Sequence, residues 1–301
     1  MWWLVLIIFT TDSSTYRLAV APAESLQVTL GGADRGEPVV LMPGLFGSAF
    51  GYRRVIERLA TGGYRVLVVE PLGIGRSSRP ERADYSLTAQ ADRIAAVLDT
   101  LGISDAIVVA HSVGASMAYR LAYRRPDLVR GLVSLDGGPA EAAATPGFRR
   151  AMRLAPWIKL FGGVGLIRRK IRNSLIAASG DASWVDAAAV DAYTVGAAAD
   201  LSGTLRAYIR MARAREPERL EPHLGEISCP VRLLVGTAPH DGGIQQREVA
   251  LLGRLVRSFV VDTVAGAGHY LYEERPDAVF DAVRRLDAGL PHMDVPAHDR
   301  D

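Results

Sequence analysis

The chain has 301 residues, of which 49% are hydrophobic and 23% are charged, and its formal net charge is only +2. This length and composition suit one large globular domain or two smaller ones, and they exclude an intrinsically disordered protein. The nearly balanced charge gives no reason to expect a nucleic-acid partner. Cys229 is the only cysteine, so an internal disulfide and a cysteine-based metal site are both excluded. Metal-binding and nucleotide-binding motifs are absent, and we expect neither a metal nor a cofactor.

The chain begins with an apolar stretch, WWLVLIIF, from Trp2 to Phe9. It is much shorter than the roughly 20 residues that a membrane-spanning helix needs, and no Lys or Arg precedes it as in a signal peptide. We therefore treat residues 1–14 as an appendage, with a damaged export signal, a surface anchor and an extra strand as alternatives. A cytoplasmic location is favoured over membrane association or export. Residues 287–301 are polar and broken by proline, which predicts a flexible tail.

Strand-length apolar runs then alternate with helical patterns, which predicts an α/β protein with a mostly parallel sheet covered on both faces. The predicted strands are residues 16–21, 25–30, 39–42, 66–70, 106–110, 132–135, 231–236 and 259–264. Between residues 137 and 227 the alternation stops, and alanine-rich helical segments dominate. Because a structureless loop of this length is uncommon in a compact domain, we predict a helical cap inserted into a core of residues 15–136 and 228–286.

Ser112 stands in the stretch VVAHSVGA, where a predicted strand gives way to a predicted helix. A serine hydroxyl is a poor nucleophile unless a base takes its proton and a third group orients that base. A nucleophile on a tight strand-to-helix turn also needs small residues two positions before and after it, and here they are Ala110 and Gly114. The alternative is that Ser112 only caps the following helix.

With this motif the sequence resembles the α/β-hydrolase fold superfamily, in particular its capped, lipase-like or esterase-like branch. The resemblance extends from about residue 16 to residue 286. It implies an eight-stranded type of sheet and the chain order nucleophile, acid, histidine. His269, in GAGHY, then matches the catalytic histidine. Haloalkane dehalogenases and epoxide hydrolases of this fold attack with an aspartate, so a serine at position 112 argues against both of these reactions.

Two aspartates compete to orient His269. The family usually places the acid in a Gly-X-X-Asp segment after the strand at 231–235, but here Pro239 intervenes and the carboxylate comes at Asp241. Asp136, at the end of LVSLD, is the alternative, because some family members carry the acid there. We favour Asp241.

The resemblance also suggests an oxyanion hole made of the backbone N–H groups of Leu45 and Val113, with Phe46 as the alternative to Leu45. The family's usual His-Gly is Pro43-Gly44 in this chain, so the support of that loop must differ. The residues expected to contact substrate are Gly44, Phe46, His111, Trp157 and Tyr270. The expected substrate is a small to medium apolar ester, cleaved through an acyl-enzyme on Ser112.

Three other reactions use the same triad, namely carbon-carbon bond hydrolysis, lactone hydrolysis and cofactor-free perhydrolysis. A protein of this fold that binds a ligand without catalysis is the alternative from another class. Between Ala142 and Gly180 the chain carries eight Lys or Arg residues and no Asp or Glu. We favour solvated charges above apolar stripes that pack on the core, and the alternative is contact with an anionic membrane surface, aided by residues 2–9. The sequence does not predict an oligomeric state.

Overall fold

The computed structural model describes residues 7–10, 13–143, 163–240 and 242–290. The strands are β1 (Ile7–Thr10), β2 (Ser13–Ala21), β3 (Glu24–Gly32), β4 (Pro38–Met42), β5 (Arg65–Glu70), β6 (Ala106–His111), β7 (Val129–Leu135), β8 (Val231–Gly236) and β9 (Phe259–Val264). The α-helices are α1 (Arg53–Thr61), α2 (Leu87–Thr100), α3 (Val113–Arg124), α4 (Gly163–Ala177), α5 (Ala187–Tyr193), α6 (Val195–Ala199), α7 (Leu201–Arg213), α8 (Gln246–Leu255), α9 (Leu271–Glu274) and α10 (Pro276–Ala288).

All strands belong to one sheet with the order β1-β2-β3-β5-β4-β6-β7-β8-β9. The first three strands pair antiparallel, as do β3 and β5, and the remaining pairs are parallel. The predicted α/β class and the eight predicted strands are confirmed. The ninth strand is β1, which lies within the apolar appendage and pairs with β2, so this part of the appendage extends the sheet.

The central strands are buried on both faces, which explains why their sequences are mostly apolar. All six residues of β6 and all seven of β7 are buried. Alternate residues of β6 point to opposite faces, so that Val108 packs in a core cluster with residues of α2 and α3. Ile107 and Val109 pack in a second cluster with residues of α1 and α10. Helices on both faces therefore remove the whole centre of the sheet from water.

The parallel strands bring their carboxyl ends to the same edge of the sheet, where ligands of open α/β sheets bind. The loop after β4 reaches this edge, as do Ser112 after β6 and Asp136 after β7. His269 follows β9 and precedes α9. The topology thus gathers residues that are far apart in the chain, such as Ser112 and His269, which are separated by 157 positions.

Helices α4 to α7 form the described part of the insertion between β7 and β8. The insertion is fixed to the segment that follows His269. The Tyr193 hydroxyl donates to the Tyr272 hydroxyl at 3.0 Å. The N–H groups of Gly180 and Asp181 donate to one oxygen of Glu274, at 2.8 Å and 2.9 Å.

A buried arginine on α3 lies where the insertion leaves the core and returns to it. The Arg120 side chain is fully buried and donates to the carbonyl oxygens of Ser116 and Ala140, both at 3.0 Å. Its guanidinium also lies 3.4 Å from the carboxylates of Glu141 and Glu216. Glu141 belongs to the outgoing segment and Glu216 to the returning one. One side chain on the helix after Ser112 therefore holds both ends of the insertion.

The two termini are only partly described. Helix α10 extends to Ala288, so it includes the first residues of the predicted tail, and residues 291–301 lie outside the described ranges. In the described part of the chain, no helix combines the length and the apolar character needed to cross a membrane.

Candidate active site

Ser112 occupies the single residue between the end of β6 at His111 and the start of α3 at Val113. Its backbone has φ 53° and ψ −123°. A positive φ is unusual for a residue other than glycine, and such strain concentrates at functional sites. The Ser112 side chain makes no capping hydrogen bond with α3, which contradicts the N-cap alternative. The geometry matches an exposed nucleophile on a sharp strand-to-helix turn.

Glycines allow the β4 loop to pack directly on this turn. A Cβ atom added at Gly114 would lie 2.9 Å from the carbonyl oxygen of Met42 and 3.0 Å from that of Pro43. A Cβ added at Gly44 would lie 3.1 Å from the Cβ of Ser112. Gly44 therefore packs against the turn, whereas the sequence predicted that it contacts substrate. It is not among the described residues that line the cavity containing Ser112.

Gly114→Ala is expected to destabilise the fold by roughly 1–3 kcal/mol and to lower activity, because the added methyl group meets backbone carbonyls and not flexible side chains. Thermal unfolding and ester hydrolysis would measure both effects. Gly165→Ala in α4 is the matched control, since a Cβ there meets nothing within 4 Å. The control is expected to gain up to about 1 kcal/mol from reduced freedom of the unfolded chain. Equal effects of the two substitutions would contradict the close approach at Gly114.

His269 is held by its backbone and by its ring. Its N–H donates to the Ala178 carbonyl oxygen at 2.8 Å. Its ring Nδ1 lies 2.6 Å from Oδ2 of Asp136, and both residues are buried. Because an ionised carboxylate only accepts hydrogen bonds, Nδ1 carries the proton in this pair. The Nε2 atom is then the unprotonated nitrogen, which is the one that a general base uses.

Among the described residues, the carboxylate that contacts His269 is that of Asp136, the alternative acid. The favoured Asp241 lies outside the described residues. The strand order explains this outcome. Strand β7 pairs directly with β6, and the Ser112 N–H donates to the Leu135 carbonyl oxygen at 3.1 Å. The residue after β7 is thus placed beside the serine turn. Asp136 itself has φ 48°, a second strained backbone position at this edge.

A second histidine, which the sequence did not assign to the site, contacts Asp136. His240 Nε2 lies 3.4 Å from Asp136 Oδ2, and the rings of His240 and His269 are 5.6 Å apart. The three side chains bring potential metal-ligand atoms within 4.8 Å of one another. Two ligands of a tetrahedral zinc ion stand roughly 3.3 Å apart at the usual Zn–N distance. The 2.6 Å between Asp136 and His269 is shorter than this, so the arrangement fits a hydrogen-bonded pair better than a metal centre.

One cavity of about 240 Å³ is lined by most of the candidate catalytic and oxyanion residues that the structure describes. Its wall includes Leu45, Ser112, Val113, Asp136 and His269. The Phe46 N–H instead donates to the Tyr208 hydroxyl at 3.1 Å. This bond occupies the alternative donor and favours Leu45 together with Val113.

His111 lies beneath the site and supports it. It is 3% exposed, and its Nε2 is 3.0 Å from the His269 carbonyl oxygen, to which it donates. Burial lowers the pKa of His111 well below its usual value, and the neighbouring imidazoles of His269 and His240 lower this pKa further. The neutral ring therefore positions the loop that carries His269. The sequence had predicted a different role for His111, namely contact with substrate.

His111 is expected to make the fold sensitive to acid. The unfolded chain binds a proton at His111 near pH 6.5, whereas the folded chain does not. The stability is therefore complete above that pH, and below it the free energy of unfolding falls by about 1.4 kcal/mol per pH unit. In His111→Asn, the free energy of unfolding measured by urea denaturation is expected to fall less between pH 7 and pH 5 than it does in the wild type. Identical slopes for the wild type and this variant would contradict the assignment.

A second cavity, of about 300 Å³, lies between the core and the inserted helices. Phe46 and Tyr270 line it, and these are the chain neighbours of Leu45 and His269 in the first cavity. Its apolar wall includes Ile167, Ile171, Leu175, Val195, Ala197 and Leu205. Phe46 and Tyr270 are two of the residues that the sequence predicted to contact substrate. Trp157, another of them, lies outside the described residues.

Helix α7 contributes side chains to this cavity that were not predicted from the sequence. Thr204 and Tyr208 both line it, and they are four residues apart on one helix face. Met211, three residues further on, is buried as well. This helical spacing of buried residues was visible in the sequence and could have identified the face.

Known proteins that resemble this chain include members of the alpha/beta hydrolase family. A family model described as the alpha/beta hydrolase fold matches residues 37–156. Over 257 residues the chain is 26% identical to the sn-1-specific diacylglycerol lipase ABHD11 of Mus musculus. This alignment covers 81% of this chain and 79% of the mouse protein. It is 37% identical to epoxide hydrolase B of Mycobacterium tuberculosis over 105 residues, only 34% of this chain and 29% of that protein. The crystal structure of Cfl2 from Burkholderia cenocepacia superposes with a TM-score of 0.71 at 26% identity, covering 92% of this chain and 96% of that one.

Proposed function

Since the chain belongs to the α/β-hydrolase fold superfamily, we propose that it is a serine hydrolase that cleaves carboxylic esters through an acyl-enzyme. Ser112 is the nucleophile, His269 the general base and Asp136 the acid that orients His269. The N–H groups of Leu45 and Val113 stabilise the oxyanion.

In the first step, Ser112 Oγ attacks the ester carbonyl carbon while His269 Nε2 takes the hydroxyl proton. The negative charge that develops on the carbonyl oxygen is met by the two backbone N–H groups. The tetrahedral intermediate collapses, His269 gives its proton to the departing alcohol, and the acyl group remains on Ser112. Water then attacks the acyl-enzyme with His269 again acting as base, which releases the acid and restores the serine.

One observation carries this proposal. Ser112 stands in a strained backbone conformation without a capping bond, in the same cavity as a histidine whose Nδ1 is bound to a buried carboxylate. A serine that served only the fold would gain nothing from that strain. The ester substrate is also supported by the mouse relative, whose name describes a lipase. The epoxide hydrolase match covers only about a third of this chain, and a serine stands where the aspartate nucleophile would be required.

Labelling with a fluorophosphonate probe tests the nucleophile. Wild-type protein is expected to take up the probe, Ser112→Ala to take up none, and His269→Ala to react much more slowly, since the hydroxyl then lacks its base. Ser116→Ala is the matched control, because Ser116 lines the same cavity but its hydroxyl donates to the Gly138 carbonyl oxygen at 2.7 Å. This control is expected to keep the label. Labelling that survives Ser112→Ala would overturn the proposal.

A substrate panel tests the reaction. Simple p-nitrophenyl esters are expected to be hydrolysed, and this activity is expected to be lost in Ser112→Ala. Ketone substrates whose cleavage breaks a carbon-carbon bond are the comparison. Turnover of the ketones without turnover of the esters would assign the same triad to carbon-carbon bond hydrolysis.

A further inference from the structure

Thr204 lines the 300 Å³ cavity, and its hydroxyl has no hydrogen-bond partner among the described residues. It lies on α7, is 5% exposed, and lines the cavity together with apolar side chains of the inserted helices. Its Oγ1 atom is buried and makes no hydrogen bond with any part of the chain that the structure describes. Buried polar groups are nearly always paired, so an unpaired one calls for an explanation such as an absent ligand.

Three other hydroxyls that line the cavity are already paired. The Tyr208 hydroxyl accepts the N–H of Phe46 at 3.1 Å. The Tyr193 hydroxyl donates to that of Tyr272 at 3.0 Å. Thr194 donates to the Val190 carbonyl oxygen at 2.7 Å, the usual bond of a threonine within a helix. Thr204 differs from these three groups, because its side chain lines the cavity while its buried hydroxyl makes no hydrogen bond with the described residues.

The cavity has the size and character of a small-molecule site. Its volume of about 300 Å³ is at the lower end of the range for such sites, and these sites combine apolar walls with a few placed polar groups. It adjoins the reaction centre through Phe46 and Tyr270, the chain neighbours of Leu45 and His269. An apolar portion of the ester held on Ser112 would therefore occupy it.

We propose that Thr204 selects esters whose apolar portion carries an oxygen atom, such as an ether, hydroxyl or keto oxygen, within hydrogen-bond reach of its hydroxyl. This inference rests on the proposed ester hydrolysis. A site built to hydrogen-bond a substrate oxygen rejects the analogue that lacks it, because the protein group is then left unpaired. The expected preference is about tenfold in kcat/KM, the effect of one neutral hydrogen bond.

The test uses two series of esters with the full-length protein. In the first, p-nitrophenyl esters of straight-chain acids are compared with esters in which an ether oxygen replaces one methylene at successive positions of the acyl chain. In the second, the same replacement is made along the alcohol chain of acetate esters. Wild-type protein is expected to prefer the oxygenated ester at one position of one series.

Three variants assign the preference to the hydroxyl. Thr204→Val keeps the shape and is expected to abolish the preference, whereas Thr204→Ser keeps the hydroxyl and is expected to retain it. Thr194→Val removes a hydroxyl that is already paired within its helix, and the substrate ratio is expected to stay at the wild-type value. Because the Thr204 hydroxyl makes no hydrogen bond with any residue that the structure describes, Thr204→Val is also expected to unfold at the wild-type temperature.

The outcomes separate this inference from the proposed function. Hydrolysis that depends on Ser112 but shows no preference for oxygen at any position overturns the role of Thr204 alone. A preference that survives Thr204→Val does the same. Failure of the wild type to hydrolyse any ester overturns the proposed function, and this inference with it.

Discussion

Asp136→Asn is expected to lower kcat for ester hydrolysis by about a thousandfold to ten-thousandfold, the loss seen when the triad carboxylate becomes an amide. The amide has nearly the same shape, but it is neutral and does not stabilise the imidazolium that forms during attack. It also no longer fixes the proton on His269 Nδ1, which now lies 2.6 Å from the carboxylate. Steady-state hydrolysis of a p-nitrophenyl ester, together with circular dichroism to check folding, would measure the effect.

Asp241→Asn is the matched control for this prediction. It removes the other candidate carboxylate by the same change, and kcat is expected to stay within a few-fold of the wild type. If Asp241→Asn caused the larger loss, the acid would be Asp241 and the contact between Asp136 and His269 would have another purpose. His240→Asn, which leaves Asp136 and His269 in place, would show how much the second imidazole contributes.

Arg120→Met is expected to reduce the free energy of unfolding by about 3–5 kcal/mol, the usual effect of breaking a buried ion pair from one side. The arginine is fully buried, and the Glu216 side chain beside it is only 6% exposed. Without the guanidinium, that carboxylate stays buried with less compensation, and the carbonyl oxygens of Ser116 and Ala140 lose their donor. Urea denaturation at pH 7 would measure the loss.

Arg124→Met on the same helix is the control for Arg120. Arg124 binds Asp92 and Glu218, but its side chain is 33% exposed and those of its partners are 53% and 36% exposed. Exposed ion pairs of this kind contribute at most about 1 kcal/mol. A loss at Arg124 as large as that at Arg120 would contradict the view that burial decides the difference.

The sheet was predictable because its strands are apolar runs separated by helical patterns. Strands β4, β6 and β7 are buried on both faces, and apolar residues dominate the stretch that marks each strand in the sequence. In β7 the prediction began only at residue 132, because Arg130 and Gly131 interrupt the apolar pattern. Strand β1 was only one of three alternatives, since a short apolar stretch at a chain end gives no sign of what it pairs with. Its partner became clear only from the pairing of Ile7–Thr10 with β2.

The aspartate that contacts His269 was less predictable from the sequence than the serine turn and the histidine loop. Ser112 and His269 stand in local motifs, whereas the choice of aspartate depends on which loop reaches the histidine in three dimensions. The pattern after β8 favoured Asp241, but the pairing of β7 with β6 brings Asp136 beside the serine turn. Side-chain pairing of this kind, like the contacts of Arg120 and the unpaired hydroxyl of Thr204, has no signature in a single sequence.

The carboxylate of Glu141 accepts the N–H groups of Leu220, at 3.0 Å and 2.9 Å, and of Glu221, at 3.1 Å. The first and last segments of the insertion are thus hydrogen-bonded to each other before the chain enters β8. Because Glu141 and Leu220 are only a hydrogen bond apart, a shorter or entirely different inserted segment can begin and end at these two residues without altering the strands. A fold whose insertion begins and ends at adjacent residues can acquire a new substrate specificity by exchange of that one segment. Ser112, His269 and Asp136 lie outside the exchanged segment and keep their positions.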